Sequence, residues 1–426
     1  MEYLEAIDYI HSTLKFGQKL GLENISKLLE LMDNPERKLK FVHIAGTNGK
    51  GSVCSYIASV LDEAGYVTGL FTSPYIERFT ERIRVNDVEI GEEELADITS
   101  YVETSVDIMV QEGYNHPTEF EIVTAIAFEY YRRKKCDIVV LEVGMGGRFD
   151  STNVINEPLV SVITPIDIDH TEYLGNTLED IAYEKAGIIK TNCDTVSIKQ
   201  EKAVEDTLMR VSLDRNSRIE FLDDKDIELL ERTKAGSIFS FQDERYEVFN
   251  LGGFQTENAA LAIMTVKLLR TKGYNISDEC IFAGIKNMKW AGRIEVVLET
   301  PLFILDGGHN EQGATVLYNT LREWYGDKKY LVIFGVMKDK EYLKMIDVIA
   351  PLTDEFYTVT VDNGRAALAE ELREEISKKG YKTTAFDSID EAVESALNSG
   401  KDICSFGSLY YIGDVKRAIA NIKGKV

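Results

Sequence analysis

Short apolar runs alternate along the chain with longer stretches whose apolar residues recur every three or four positions. This is the pattern of buried strands, each followed by an amphipathic helix. Residues 41–45 (Phe-Val-His-Ile-Ala) predict a buried strand and 51–64 the helix after it, while 67–71 predict a second strand. Segment 83–90 reads as a small hairpin turning at Asn86-Asp87, and 92–111 and 119–133 read as helices. Residues 137–143 are apolar apart from Asp137 and Glu142, as expected of a strand covered on both faces. A strand at 160–165 and a helix at 178–189 follow. From 219 to 251 alternation and turns predict an antiparallel patch on the sheet edge, before a helix at 257–271. A second series begins near Ile294, with strands at 295–298, 303–306, 330–334, 356–361, 382–386 and 402–406. Helices at 314–324, 341–349, 367–379, 390–397 and 413–422 separate or follow them.

Composition narrows the function classes. The 48 Lys+Arg against 72 Asp+Glu leave a formal charge of −24. Nucleic-acid binding relies on Lys and Arg neutralising phosphates, so it is disfavoured as a general role. A polyanionic ligand must instead meet a local positive cleft or metal ions. No apolar run approaches the ~18 residues that cross a bilayer, so no membrane partner is expected. The N-terminal Met1-Glu-Tyr-Leu lacks the basic and apolar regions of a signal peptide. Five scattered cysteines with no C-x-x-C pair suit a reducing compartment. The expectation is a cytoplasmic protein.

Gly46-Thr47-Asn48-Gly49-Lys50-Gly51-Ser52 lies between a predicted strand and a predicted helix. Glycines there let backbone N–H groups converge on phosphate oxygens, and the helix N-terminus adds its dipole. Lys50 would contact the β- and γ-phosphates and the Ser52 hydroxyl would ligate Mg²⁺. The spacing is unusual, because Gly51 separates lysine from serine. The bland reading is a glycine-rich turn with a solvated lysine. The fold class is α/β. A P-loop NTPase-like first domain with a mostly parallel sheet is expected at 1–290, and a smaller Rossmann-like, doubly wound domain at 291–426. A switch or transport ATPase and an ATP-dependent ligase both remain open. A guanine-nucleotide switch would carry an Asn-Lys-x-Asp segment, and the chain has no Asn-Lys pair.

Glu142 ends a nearly continuous apolar strand, where open parallel sheets place ligand chemistry. A buried carboxylate needs a partner or a metal, so Glu142 is a Mg²⁺ ligand candidate, with a structural pairing to Arg148 as the alternative. His170 follows the next strand in Ile166-Asp-Ile-Asp-His170 and is a second candidate ligand, although an isolated histidine is more often a packing residue. Lys185, on the following helix, reads from the residues alone as an ion-pair partner of an acid.

Together these segments resemble the folylpolyglutamate synthase family, which overlaps with dihydrofolate synthase. The matching blocks are His43–Ser52, Thr72–Arg84, Leu141–Asp150 and Thr164–Lys190, then Phe254–Asn258, Trp290–Arg293, Asp306–Asn310, Phe334–Lys340 and Phe406–Tyr410, in family order. The resemblance implies ATP-dependent amide formation between a folate carboxylate and the amino group of L-glutamate through an acyl phosphate. It also implies two Mg²⁺ sites. Ser52, Ser73 and Glu142 would surround the first, and Glu142 and His170 would serve the second. Lys185 looks like the lysine carbamylated in the family, which displaces the ion-pair reading. Asn258 and Arg293 would contact nucleotide; Asp306 and His309 would close over ATP and help position glutamate. Thr72, Ser73 and Pro74, with Arg82 and Arg84, belong to a segment that looks like the family's folate loop. The two arginines either offset the acidic surface or stand as solvated loop charges.

Several positions depart from the family pattern: Phe254 replaces a usual His, Gly308 an Ala, Glu311 a Pro, Thr191-Asn192 a Pro-Gly and Asn363-Gly364 a Ser-Pro. None removes a metal or phosphate ligand. The rival readings are a muramyl-type cell-wall peptide ligase and a nucleotide-dependent switch or binding module. The first would need a UDP-sugar domain before the ATP domain, where only about 40 residues precede the predicted P-loop strand. Folate or dihydropteroate and glutamate are the expected small-molecule partners, and a monomer is expected because both halves of the site lie in one chain.

Overall fold

The computed structural model describes residues 1–17, 21–234, 236–249, 252, 254–288, 292 and 294–423. Eight strands form the first sheet: β1 (Phe41–Ala45), β2 (Thr68–Phe71), β3 (Ile83–Val85), β4 (Val88–Glu89), β5 (Ile138–Glu142), β6 (Val160–Ile163), β7 (Asp194–Ile198) and β8 (Ile219–Leu222). Their order is β4-β3-β2-β5-β1-β6-β7-β8, parallel from β2 through β8, with the β3–β4 hairpin antiparallel on one edge. The hairpin turns at Asn86-Asp87, both with positive φ (49° and 58°), the left-handed pair a two-residue turn requires.

Register decides where the chemistry lies. Ile44 pairs with Glu142 and Ala45 with Ile163, so β1, β5 and β6 end on one rim. The loops after all three therefore face each other at the carboxyl edge, beside the central strand from which the chain winds in both directions. Strand side chains are buried on both faces, as the apolar runs predict. The helix Lys50–Glu63 packs on one face against helix Asp278–Asn287, so closely that a Cβ on Gly284 would come within 2.4 Å of Val60 Cα.

The segment 219–251 departs from expectation. Ile219–Leu222 joins the main sheet as its parallel edge strand β8, and the antiparallel part is a separate sheet of β9 (Ile227–Thr233), β10 (Gly236–Phe241) and β11 (Glu244–Val248). Phe239, Phe241, Tyr246 and Val248 bury one face of that sheet in the same apolar cluster as helix Phe254–Thr271. A helix, rather than the edge of the main sheet, covers these residues. Strand β7 and the helices Tyr3–Ser12, Glu23–Leu31, Lys202–Asp214 and Asp278–Asn287 add to the elements read from the pattern.

The third sheet contains β12 (Glu295–Glu299), β13 (Leu302–Asp306), β14 (Tyr330–Phe334), β15 (Thr353–Thr358), β16 (Lys382–Ala385) and β17 (Ile403–Phe406) in the order β12-β13-β17-β14-β15-β16. All pairs are parallel except β12 with β13. Strand β15 begins three residues earlier than the apolar run suggests, because Thr353 already pairs with Tyr330. Separate apolar clusters cover the two faces of this sheet, as in a doubly wound unit. The five cysteines are free, and all but Cys280 are buried. Among the described residues no helix is long and apolar enough to cross a membrane.

Candidate active site

The glycine loop is strapped to the segment after β6. Thr47 and Asn48 donate backbone N–H groups to the Pro165 carbonyl at 2.8 and 3.3 Å, and the Thr47 hydroxyl accepts the Asp167 amide at 3.0 Å. Gly46 has φ +152°, and a Cβ there would lie 1.8 Å from the Thr164 hydroxyl oxygen. Gly49 has φ +85°, and its Cβ would lie 2.6 Å from Asn258 Oδ1. Two of the loop's glycines are thus required by close approach as well as by backbone conformation. Asn258 is buried beneath the loop, its amide donating to Gln255. Ser52 is buried in the first turn of the helix that the loop opens.

Two ammonium groups converge on one carbonyl. Lys50 Nζ donates to the Gly46 and Thr47 carbonyls at 3.1 Å each, and Lys185 Nζ donates to the Gly46 carbonyl at 2.8 Å. Lys185 is 5% exposed; burial, and then the Lys50 charge, push its pKa down to about 7. Its helix, Leu178–Lys185, is held by the glycine turn after β5: a Cβ on Gly147 would come within 2.9 Å of the Glu184 and Lys185 carbonyls. The ion pair expected from the residues alone is not what anchors Lys185; a backbone carbonyl is.

Glu142 closes the rim from β5. It is 3% exposed, and its Oε2 accepts the Ser73 amide at 2.9 Å. Arg148, the alternative partner of Glu142, instead lies 3.6 Å from Glu184 and over the Tyr183 ring. Thr72 donates its amide to the Arg82 carbonyl, so Thr72, Ser73 and Pro74 enter the site from the end of β2. Arg82 and Arg84 are not solvated loop charges. Arg82 is buried against Tyr75 and Phe79 and pairs with Glu119 at 3.2 Å, and Arg84 pairs with Asp87 at 3.1 Å.

His170 has φ +51° at the start of a short helix and faces Asp169, with Nε2 3.7 Å from Oδ2. Burial pushes its pKa down to about 4; Asp169 opposes this, and the Lys340, Lys185 and Lys50 charges add to the lowering. The imidazole is therefore neutral near pH 7, the form that ligates metal. Among the described residues no group of three or more His, Cys, Asp or Glu side chains forms a metal cage. At the rim the buried Glu142 carboxylate stands beside Ser73, whose backbone amide it accepts, and Ser52 lies in the first turn of the helix after the glycine loop. Such an oxygen set suits Mg²⁺ shared with phosphates, not a metal held by protein alone.

The second unit completes the site. Asp306 ends β13, and its two oxygens accept the Ile294 and Gly308 amides at 3.0 and 2.7 Å, shaping the turn that presents His309. A Cβ on Gly308 would come within 2.6 Å of Asp306 Oδ1, the oxygen that accepts the Gly308 amide. His309 Nε2 lies 3.7 Å from Asp169 Oδ2. Asn310 caps helix Glu311–Tyr325 and donates to Asn48 of the glycine loop, which in turn donates to Gln312. Phe254 packs against an apolar cluster of the second unit, and Asn192 occupies a left-handed position at φ +59°. Arg293 lies outside the described residues. The residues that the motif reading left without a role are Asp169, Lys340 and Gln312. The Asp169-His170 pair and the Phe334–Lys340 block carried the signal, but sequence distance hid that they meet.

A glycine loop with a lysine between strand and helix, beside a buried carboxylate at the sheet's rim and a second α/β unit, marks the ATP-dependent amide ligases of the Mur type. Residues 44–266 match the Mur ligase middle domain and 292–408 the Mur ligase glutamate ligase domain. The chain belongs to the folylpolyglutamate synthase family. It is 40% identical to the dihydrofolate synthase/folylpolyglutamate synthase of Bacillus subtilis over 98% of this chain and 99% of that one. It is 33% identical to the folylpolyglutamate synthase of Lacticaseibacillus casei over 98% and 99%. The Mycobacterium tuberculosis folylpolyglutamate synthase complexed with ADP and AMPPCP superposes with a TM-score of 0.88 at 28% identity, covering 99% of both chains.

Proposed function

We propose that this protein joins the amino group of L-glutamate to a folate carboxylate at the expense of ATP. The observation that carries the reading is the meeting, on one rim, of the glycine loop, the Lys50 and Lys185 ammoniums, the buried Glu142 and the second unit's His309. A folate complex of a related synthase, FPGS-AMPPCP-folate, has a TM-score of 0.84 at 30% identity over 98% of this chain, and supports the same reading.

The chemistry follows from the positions. A carboxylate is a poor electrophile, so its oxygen first attacks the γ-phosphorus of ATP and ADP leaves. The glutamate amine then attacks the acyl carbon, loses a proton, and the tetrahedral species expels phosphate. In both steps anions converge, and a protein of charge −24 must offset them locally. Backbone amides of the Gly49–Ser52 turn and the Lys50 ammonium would hold the triphosphate, with the Thr47 and Asn48 amides tying the loop to Pro165 and Asn258 supporting it from below. Mg²⁺ at two sites, one by Ser52, Ser73 and Glu142 and the other by Glu142 and His170, would neutralise developing charge. Lys185, depressed to about 7 and so available as the free amine, is suited to react with CO₂, losing a proton to solvent and giving a carbamate. Asp306 shapes the turn that carries His309 towards the glutamate side, and Arg293 would reach the nucleotide from the linker. Residues 1–290 form the ATP unit and 291–426 the glutamate-ligating unit, in a cytoplasmic monomer.

The test incubates the protein with ATP, Mg²⁺, labelled glutamate and either tetrahydrofolate or dihydropteroate. Label in the tetrahydrofolate product supports the reading. Label with dihydropteroate adds dihydrofolate synthase activity, a pairing that the B. subtilis relative's name carries. Label in neither, or turnover of a UDP-muramyl acceptor, overturns it.

A further inference from the structure

Among the contacts between the two α/β units, one buried carboxylate gathers groups from both. Asp169 follows β6 in the first unit and is 11% exposed at its side chain. Its Oδ1 accepts Lys340 Nζ of the second unit at 2.6 Å, and Lys340 is 9% exposed. Its Oδ2 lies 3.7 Å from Nε2 of both His170, in the first unit, and His309, in the second. Lys340 follows β14 and His309 follows β13, two loops on the carboxyl edge of the second sheet. One side chain therefore gathers three groups from two sheets.

We propose that Asp169 is a positioning residue for the ligation step: it draws Lys340 and His309 of the second unit onto His170 of the first and so sets the separation of the two half-sites. The inference rests on the ligase reading above. Its physical basis is desolvation. A carboxylate and an ammonium about nine-tenths buried bind strongly only while both are present, and loss of either leaves a charge uncompensated. The contact lies beside the amide pairs of Asn48 with Asn310 and Gln312, so the second unit touches both the glycine loop and the β6 loop. Separating the units would break this buried ion pair, the more exposed pairs Arg232–Glu323 and Lys416–Glu77, and neutral hydrogen bonds. Attack across a cleft needs reacting groups about 3–3.5 Å apart, and a displacement of about 1 Å costs up to roughly 100-fold in rate.

Asp169→Asn and Lys340→Met remove one charge each, and the double variant removes both. The expected result is a kcat loss on the order of 10- to 100-fold in each single variant, with the KM for ATP within about twofold of wild type. The double variant should be no slower than the slower single variant, because both act through one contact. Additive losses, wild-type kcat, or a loss expressed as weakened ATP binding would overturn the proposal. Small-angle scattering of the ligand-free protein reads the same contact without turnover: Asp169→Asn should have a larger radius of gyration than wild type, and an unchanged radius counts against the inference. If wild type ligates nothing, the functional reading fails, while the scattering result still decides the role of Asp169 in holding the units together.

Discussion

Lys185 offers a test in which the sign and size of an effect follow from burial. Its pKa is about 7 in the folded protein against an ordinary value of 10.5. Between those values the unfolded chain binds a proton that the folded chain does not, so wild-type stability rises with pH across that window. Below it both states are protonated and the folded state carries the full cost of a buried ammonium. Above it the cost vanishes. At about 1.4 kcal/mol per pKa unit, the full cost is on the order of 5 kcal/mol. A Lys185→Met variant keeps a side chain of similar length without the charge and forfeits the hydrogen bond to the Gly46 carbonyl, a loss of about 1 kcal/mol that does not depend on pH. Urea unfolding of both proteins in CO₂-free buffer from about pH 7 to 9.5 should show the variant more stable near neutrality. Its advantage should shrink by about 1.4 kcal/mol per pH unit. Added bicarbonate should stabilise wild type alone, as a carbamate draws off the free amine. The variant should be inactive throughout, a trade of function for stability. Parallel curves for the two proteins, with no pH-dependent difference, would refute the argument.

Other outcomes follow from single contacts. Gly46→Ala places a Cβ 1.8 Å from the Thr164 hydroxyl; it should cost roughly 1–3 kcal/mol and abolish binding of a non-hydrolysable ATP analogue, read by calorimetry. Glu142→Gln keeps the Ser73 contact but removes the rim's negative charge; kcat should fall on the order of 100-fold or more, with a raised Mg²⁺ requirement in steady-state assays. Thr152→Val breaks a buried chain in which the His43 ring donates to the Thr152 hydroxyl at 2.9 Å, and that hydroxyl donates to Asp150 at 2.5 Å. Stranding the imidazole N–H should lower unfolding free energy by about 1–3 kcal/mol, measured by denaturation.

The alternation of apolar runs and amphipathic helices determined two α/β units and most strands to within a few residues, because a strand covered on both faces has little choice but Val, Ile and Leu. Gly46 to Ser52, Glu142 and His170 were legible for a similar reason: glycines between strand and helix, and acids or imidazoles at strand ends, are costly where they bind nothing. Local pattern could not place Ile219–Leu222 in the parallel sheet, since an edge strand partly open to solvent carries a polar residue, Glu220, where a central one is continuously apolar. Nor could it tell that Arg82 is spent on Glu119, or that Lys185 points at a carbonyl. Asp169 and Lys340 stand 171 positions apart, and only the packing of one sheet's loops against the other's brings them to 2.6 Å. Periodicity reports the environment of each residue in its own element. Which charges meet across elements depends on register and on how the sheets are set against each other, and those are properties of the folded chain.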